Sequence, residues 1–358
     1  MMRDIKINKD KIGKNKPCYI VAELSGNHGG NFNEILKLIK LAKDAGANAI
    51  KLQAYTPDTI TLNSKKKDFQ IYKKHTWSKY KDFYSLYKSA HTPLKWIRKI
   101  FLYCRKKKIT VFASVFDFSS VDLLEKLNCP AYKIASPEIT DVPLLKYVAK
   151  KNKPIIISTG LAKLQDLNLA IRTIRKQQNN KIIILKCTSA YPAKLNEINL
   201  KTMMALRKKF KCHVGYSDHT LGISVAIAAS ALGANIIEKH IKSSKSIKTV
   251  DSFFSITIEE FRQMIKSIRD NEKAYGKISF NISKGSTKNL IGKRSLYVSE
   301  KIKKGNKFTK NNIRSVRPFY GLHPKYYDKV IGMKSKKNLQ IGDRLTFKSI
   351  QTVSKNKK

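Results

Sequence analysis

With 358 residues, 42% hydrophobic and 27% charged, the chain has a globular composition and enough length for one large core plus a small second domain. No apolar run reaches the roughly 18 residues of a membrane span, and the start, Met1-Met2-Arg3-Asp4-Ile5, lacks a signal-peptide core, so a cytoplasmic protein without a membrane partner is expected. The formal charge of +48 invites a nucleic-acid reading, but the lysines are strewn along every segment and no RNP or helix-turn-helix pattern accompanies them; such a field would attract anionic substrates.

From Tyr19 to about Tyr275 short apolar runs alternate with longer amphipathic segments. Eight runs read as buried parallel strands: Tyr19–Glu23, Ala49–Gln53, Thr110–Ser114, Ala131–Ile134, Pro154–Ser158, Lys181–Cys187, His213–Tyr216 and Asn235–Lys239. Helical periodicity follows each, as in Ile35–Ala42 and Phe261–Ile268. Eight such units over about 255 residues have the length and repeat of a (β/α)8 TIM barrel. The alternative, an open doubly wound sheet, calls for a Gly-rich dinucleotide turn after the first strand, and none is present.

A long insertion between Tyr55 and His91 is placed to cover one face of the barrel. Residues 1–276 are read as the barrel domain, and the polar run 277–293 as a linker. Residues 294–352 then read as a small β-rich module, with short strands including Val330-Ile-Gly332 broken by Lys-Gly and Gly-Asp turns and too short to make helices. Residues 353–358 are expected to be a frayed tail. The five cysteines, Cys18, Cys104, Cys129, Cys187 and Cys212, contain no C-x-x-C pair, which argues for reduced, buried thiols.

In a barrel the chemistry sits at the C-terminal strand ends, so those positions form one rim. They are Glu23, Lys51 with Gln53, Ser114, Lys133 with Ser136 and Glu138, Ser158, Lys186 with Ser189 and Tyr191, Ser217 with His219, and Glu238 with His240. Lysines and serines together suit an anion with two charged ends, such as a phosphate and a carboxylate. His219 and His240 each end a strand, and if consecutive strands deliver them to one rim they can meet over a metal ion; either alone is more often a solvated or hydrogen-bonded strand-end histidine than a ligand. Lys51 and Lys133 lie in apolar runs where an unpaired charge is costly, so each needs a ligand or a partner carboxylate. Glu138 precedes a helix and could serve only its N-terminus; Ser158-Thr-Gly160 could be turn chemistry, and Tyr191 before Pro192 could be packing.

Six motifs in order carry a resemblance: Ala22-Glu-Leu-Ser-Gly-Asn-His28, Ala131-Tyr-Lys-Ile-Ala-Ser136, Ile157-Ser-Thr-Gly160, Lys186-Cys-Thr-Ser-Ala-Tyr-Pro192, Tyr216-Ser-Asp-His-Thr220 and Glu238-Lys-His240. Together they resemble the sialic acid synthase family, and the second module, with Ser315-Val-Arg-Pro318, resembles its antifreeze-like SAF module. Tyr55–Leu62, Ala90-His-Thr-Pro93 and Val316–Pro324 resemble the branch of that family acting on a 6-deoxy diacetamido hexose rather than the neuraminate branch; N-acetylneuraminate or legionaminate synthesis is the alternative. The resemblance implies condensation of phosphoenolpyruvate with 2,4-diacetamido-2,4,6-trideoxy-altrose. A basic nucleic-acid binder on a degenerate barrel is the alternative from another class.

The resemblance also implies roles. His219 and His240 would hold a divalent ion, usually manganese in the family. Lys51, Ser189 and Ser217 would hold the phosphate, and Lys133, Ser136 and Ser114 the carboxylate; Ser158 is a further substrate-binding candidate. Glu23, Gln53, Tyr191 and Asp251 would face the sugar, and Glu138 would shuttle a proton. Arg317 resembles the arginine that the SAF module inserts into a partner subunit's barrel, implying a domain-swapped homodimer. The sequence departs from the usual family pattern at Val115, where proline is common, and at Ser189, where the neuraminate branch has asparagine.

Overall fold

The computed structural model describes residues 2–351, so the tail expected at 353–358 and residue 352 lie outside the described residues. Two compact units, Met1–Gly276 and Lys277–Lys358, make up the chain. In the first, eight parallel strands close on themselves: β1 (Tyr19–Glu23), β2 (Ala49–Ala54), β3 (Thr110–Val115), β4 (Tyr132–Ile134), β5 (Ile155–Ser158), β6 (Ile182–Cys187), β7 (His213–Asp218) and β8 (Ile236–Lys242). Each pairs with the next, and β8 returns to β1, with Ile236 beside Tyr19 and His240 beside Glu23. This is the TIM barrel expected from the alternating pattern.

The strands are apolar because both faces are covered, inward by the barrel core and outward by helices. The helices that follow the strands, from Phe32–Asp44 through Ile258–Tyr275, turn stripes such as Ile35, Leu38, Ile39 and Ala42 onto the sheet. Side-chain caps fix where several of them start: Asp117 accepts from Ser119 and Ser120, Asp141 from Leu144, and Thr257 forms a capping box with Glu260. At Gly215 the walls leave no room for a side chain, since a Cβ there would stand 2.3 Å from the Ile236 carbonyl oxygen of β8. A hairpin of Ile5–Ile7 with Asp10–Ile12, unanticipated from sequence, lies at the N-terminal mouth, where His213 Nε2 meets Arg3 O at 2.9 Å and Asn235 donates to Gly13 O.

The insertion after β2 folds as short helical pieces, Pro57–Ile60, Lys67–Phe69 and Phe83–Ala90, over the C-terminal strand ends. Tyr55 stacks edge-on against Tyr87 and Phe116, and Trp77 Nε1 donates to Val250 O at 3.0 Å. Two sequence expectations need correction. β8 continues to Lys242, so His240 lies within the strand rather than at its end. Val330 closes a helical turn, Tyr327–Val330, instead of starting a strand; pairing begins only after it, where Gly332 (φ 87) N donates to Phe308 O and Lys334 bridges Lys307. Among its described residues the second unit has one regular antiparallel pair, Ser295–Val298 with Ile313–Val316, tied by isolated bridges such as Ile302 to Leu339 around a core of Leu296, Val298, Phe308, Ile313 and Leu345. Within 277–293, residues Lys284–Gly292 coil as a 3-10 helix.

Candidate active site

The parallel register sets the rim. Glu23 stands beside Lys51, Gln53 beside Ser114, Ser114 beside Lys133, and Glu238 beside Ser217. All of these except half-buried Gln53 are at most 4% exposed. The Lys51 ammonium donates to Glu238 Oε1 at 2.7 Å and lies 3.3 Å from Glu23 Oε2. Ser217 Oγ also donates to Glu238 Oε1, at 2.9 Å, and Gln53 Nε2 to Glu23 Oε1, at 3.0 Å. One cation thus sits between two buried carboxylates. Burial alone would lower the Lys51 pKa, but Glu23 and Glu238 outweigh it and raise it. The carboxylates diverge: burial and its neighbour Glu238 hold Glu23 up, whereas Lys51 and Lys133 overcome burial and hold Glu238 down.

Lys133 is different. Its Nζ donates to Ser158 Oγ at 2.5 Å and Ile134 O at 3.0 Å, and no described carboxylate lies within ion-pair distance, so burial pulls its pKa down to about 8. Lys186, also without a described carboxylate partner, donates to Cys187 O and Thr188 Oγ1. Ser136 and Ser189 share a niche above Gly160. Gly160 N donates to Ser136 Oγ at 2.9 Å, and a Cβ there would fall 2.1 Å from Ser189 Oγ and 2.7 Å from Cys187 Sγ, so the niche exists because residue 160 has no side chain. Ser189 Oγ has no hydrogen-bond partner among the described residues. Glu138, in the turn Pro137–Thr140, has a buried Oε2 with no partner among the described residues, and burial lifts its carboxyl to about 7.

His219 and His240 do meet: their ring centroids are 5.5 Å apart, with Phe254 edge-on to His240 at 4.8 Å. His219 Nδ1 lies 2.8 Å from the Thr188 carbonyl oxygen, which can only accept, so Nδ1 carries the proton and Nε2 keeps its lone pair. His240 Nδ1 is buried and has no hydrogen-bond partner among the described residues. Burial depresses both, His219 to about 4, leaving them neutral and free to donate electron pairs. Among the described residues no cluster of three His, Cys, Asp or Glu is disposed to hold a metal, so a cation here would complete its shell with water or substrate oxygens. The two imidazoles fit that open, nitrogen-rich arrangement.

Tyr191 packs at 4.5 Å on His219 and 5.4 Å on Trp77, making an aromatic wall with Phe254. Asp251 accepts from Ser25 and from Gly26 N, beside Gln53. Every barrel residue singled out from sequence therefore comes to the C-terminal end of the barrel. Arg317 lies in the other unit, exposed, directly after the strand Ile313–Val316. Sequence reasoning placed Glu238 and Lys186 on the rim without giving them roles, and it passed over Ser25, whose only signal was its place after Glu23 in Ala22-Glu-Leu-Ser25. Asp218 and Lys239 form a fully buried pair at 2.7 Å beside the histidines, and Lys239 also donates to Thr220 O, so both of its recorded hydrogen bonds stay within the protein.

Comparison with known proteins agrees with this architecture. Residues 38–279 match the NeuB family and residues 293–351 the SAF domain. The chain is 44% identical over 330 residues to a pseudaminic acid synthase of Campylobacter jejuni, spanning 92% of this chain and 96% of that protein. It is 42% identical over 337 residues to a pseudaminic acid synthase of Helicobacter pylori, spanning 94% and 98%. The crystal structure of N-acetylneuraminic acid synthetase from Leptospira borgpetersenii, in complex with citrate, matches with a TM-score of 0.70 at 30% identity, over 80% of this chain and 95% of that one. Fold, motif order and near-complete coverage lead to one assignment: the chain belongs to the NeuB family and carries a SAF domain behind its barrel.

Proposed function

We propose that the chain condenses phosphoenolpyruvate with 2,4-diacetamido-2,4,6-trideoxy-altrose, giving pseudaminate and phosphate, the activity for which its Campylobacter and Helicobacter relatives are named. The observation that carries the chemistry is a rim on which Lys133 and Lys186 face no described carboxylate, so that they can meet an anion. Nothing in the relatives or on the rim favours a nucleic-acid binder.

In this reading the phosphate lies toward Lys51, Ser189 and Ser217, and the carboxylate toward Lys133, Ser136, Ser114 and Ser158. The niche over Gly160 supports this, since it brings Ser136 and Ser189 side by side. Lys51 serves a second purpose there, offsetting the charge of Glu23 and Glu238 that would otherwise repel the anion. Glu23, Gln53, Tyr191 and Asp251 hold the open-chain sugar, and the Trp77 and Tyr191 wall keeps water from its aldehyde. C3 of phosphoenolpyruvate then attacks the aldehyde carbon, whose oxygen takes a proton from Glu138. The cation left at C2 takes water, and phosphate departs with cleavage of the C–O bond. A divalent ion held by His219 and His240, manganese in most of the family, would supply Lewis-acid polarisation of the aldehyde. The family resemblance further supports a cytoplasmic, domain-swapped homodimer with Arg317 of one copy serving the other's barrel. Among the described residues no helix is long and apolar enough to cross a membrane.

Phosphate release from phosphoenolpyruvate with manganese and this sugar tests the reading. Release should depend on the sugar and stop on adding chelator. The Glu138 carboxyl is protonated below about pH 7 and Lys133 is charged below about pH 8, so kcat/KM should fall as pH rises through that range. A profile flat from pH 6 to 9 would remove Glu138 as the proton donor, and release without sugar would remove the condensation.

A further inference from the structure

We infer that Ser25 is a positioning residue that aims Asp251 and Gln53 at the sugar, an inference that rests on the assignment of those two residues to the sugar side. Ser25 follows β1 at φ 46, in the left-handed region that suits glycine and burdens an L side chain. The turn thus carries a side chain where glycine would be easier, and the contacts of that side chain must offset the strain.

Those contacts are two. The Ser25 hydroxyl, buried at 5% exposure, donates to Asp251 Oδ2 and accepts from Gln53 Nε2 at 3.0 Å. It therefore joins a residue 226 positions away in sequence to one 28 positions away. Gln53 Nε2 donates at the same time to Glu23 Oε1 at 3.0 Å, so its amide is held from two sides. The backbone of Gly26 adds a contact at 3.5 Å to the same Asp251 oxygen. No hydrogen bond among the described residues uses Asp251 Oδ1 or Gln53 Oε1. Two acceptors are left, oriented by one hydroxyl, for the hydroxyl and amide N–H groups of a diacetamido sugar.

A serine that merely closed the turn would affect both substrates alike. The positioning role acts on one of them, and Ser25→Gly and Ser25→Ala separate the two cases: the first also relieves the backbone, the second keeps the Cβ. With the full-length enzyme and manganese, both variants should raise the KM for the altrose sugar at least fivefold. The KM for phosphoenolpyruvate should stay within twofold, and kcat should change less than the sugar KM. An unchanged sugar KM in both variants overturns the inference, as do equal rises in the two KM values. If the wild-type enzyme, assayed alongside, does not consume the sugar, the functional reading falls first and takes this inference with it.

Discussion

Replacing His219 by alanine is expected to cut turnover at least about a thousandfold, equivalent to roughly 4 kcal/mol of barrel-rim chemistry, while the protein remains folded. The side chain is fixed from behind by its Nδ1–H bond to Thr188 O and from the side by Tyr191, so its Nε2 has one direction to serve. Its neutral state, enforced by burial, suits a metal ligand and wastes nothing on a buried charge. The structural loss is small by comparison: one unpaired carbonyl and a small cavity, about 1–3 kcal/mol together. Circular dichroism and manganese binding by calorimetry, measured beside activity, distinguish the two contributions. A variant retaining kcat within tenfold of wild type would show that the His219 and His240 pair does not take part.

The two buried lysines should behave in opposite ways when each is replaced by methionine. Lys51→Met leaves Glu23 and Glu238 facing each other without their shared cation, and breaking a buried pair in this way costs about 3–5 kcal/mol. Lys133→Met removes an ammonium that burial already disfavours and that no described carboxylate contacts directly, Glu238 acting on it only at longer range, so its melting temperature should stay close to wild type. Its kcat/KM for phosphoenolpyruvate should nevertheless drop by about a hundredfold or more, the loss of one desolvated charge-assisted contact to the anion. The pattern expected is a stable, inactive Lys133 variant and an unstable Lys51 variant. Equal destabilisation of both would mean that Lys133 has a structural counter-charge and is retained for the fold.

The barrel was legible because its strands are buried on both faces and so stand out as unbroken apolar runs; β1 and the starts of β2, β3 and β7 fell where the sequence placed them. The rim was legible for the same reason inverted: Lys133 in Tyr132-Lys-Ile134 and Glu238 in Ile237-Glu-Lys239 interrupt runs that packing alone would keep apolar. Pairing across the rim was not legible. Lys51 and Glu238 are 187 residues apart, and only the closure of β8 onto β1 makes them partners. Nor could the sequence show that Ser25 has a positive φ, since its neighbours include glycines that could have absorbed the turn. The hairpin Ile5–Ile12 escaped notice because three-residue strands among lysines leave too short a period to read. In the second unit Val330-Ile331 has strand-forming residues, but Ile331 N is taken by Tyr327 O of the local turn, and pairing with Phe308 starts only at Gly332.

The most direct test of the account is the rate of phosphate release from phosphoenolpyruvate with manganese, offered in parallel 2,4-diacetamido-2,4,6-trideoxy-altrose, its manno counterpart and N-acetylmannosamine. Chelator-sensitive release is expected with the altrose sugar at a kcat/KM well above the other two. Equal or faster release with N-acetylmannosamine or the manno sugar, or no release with any of them, would contradict it.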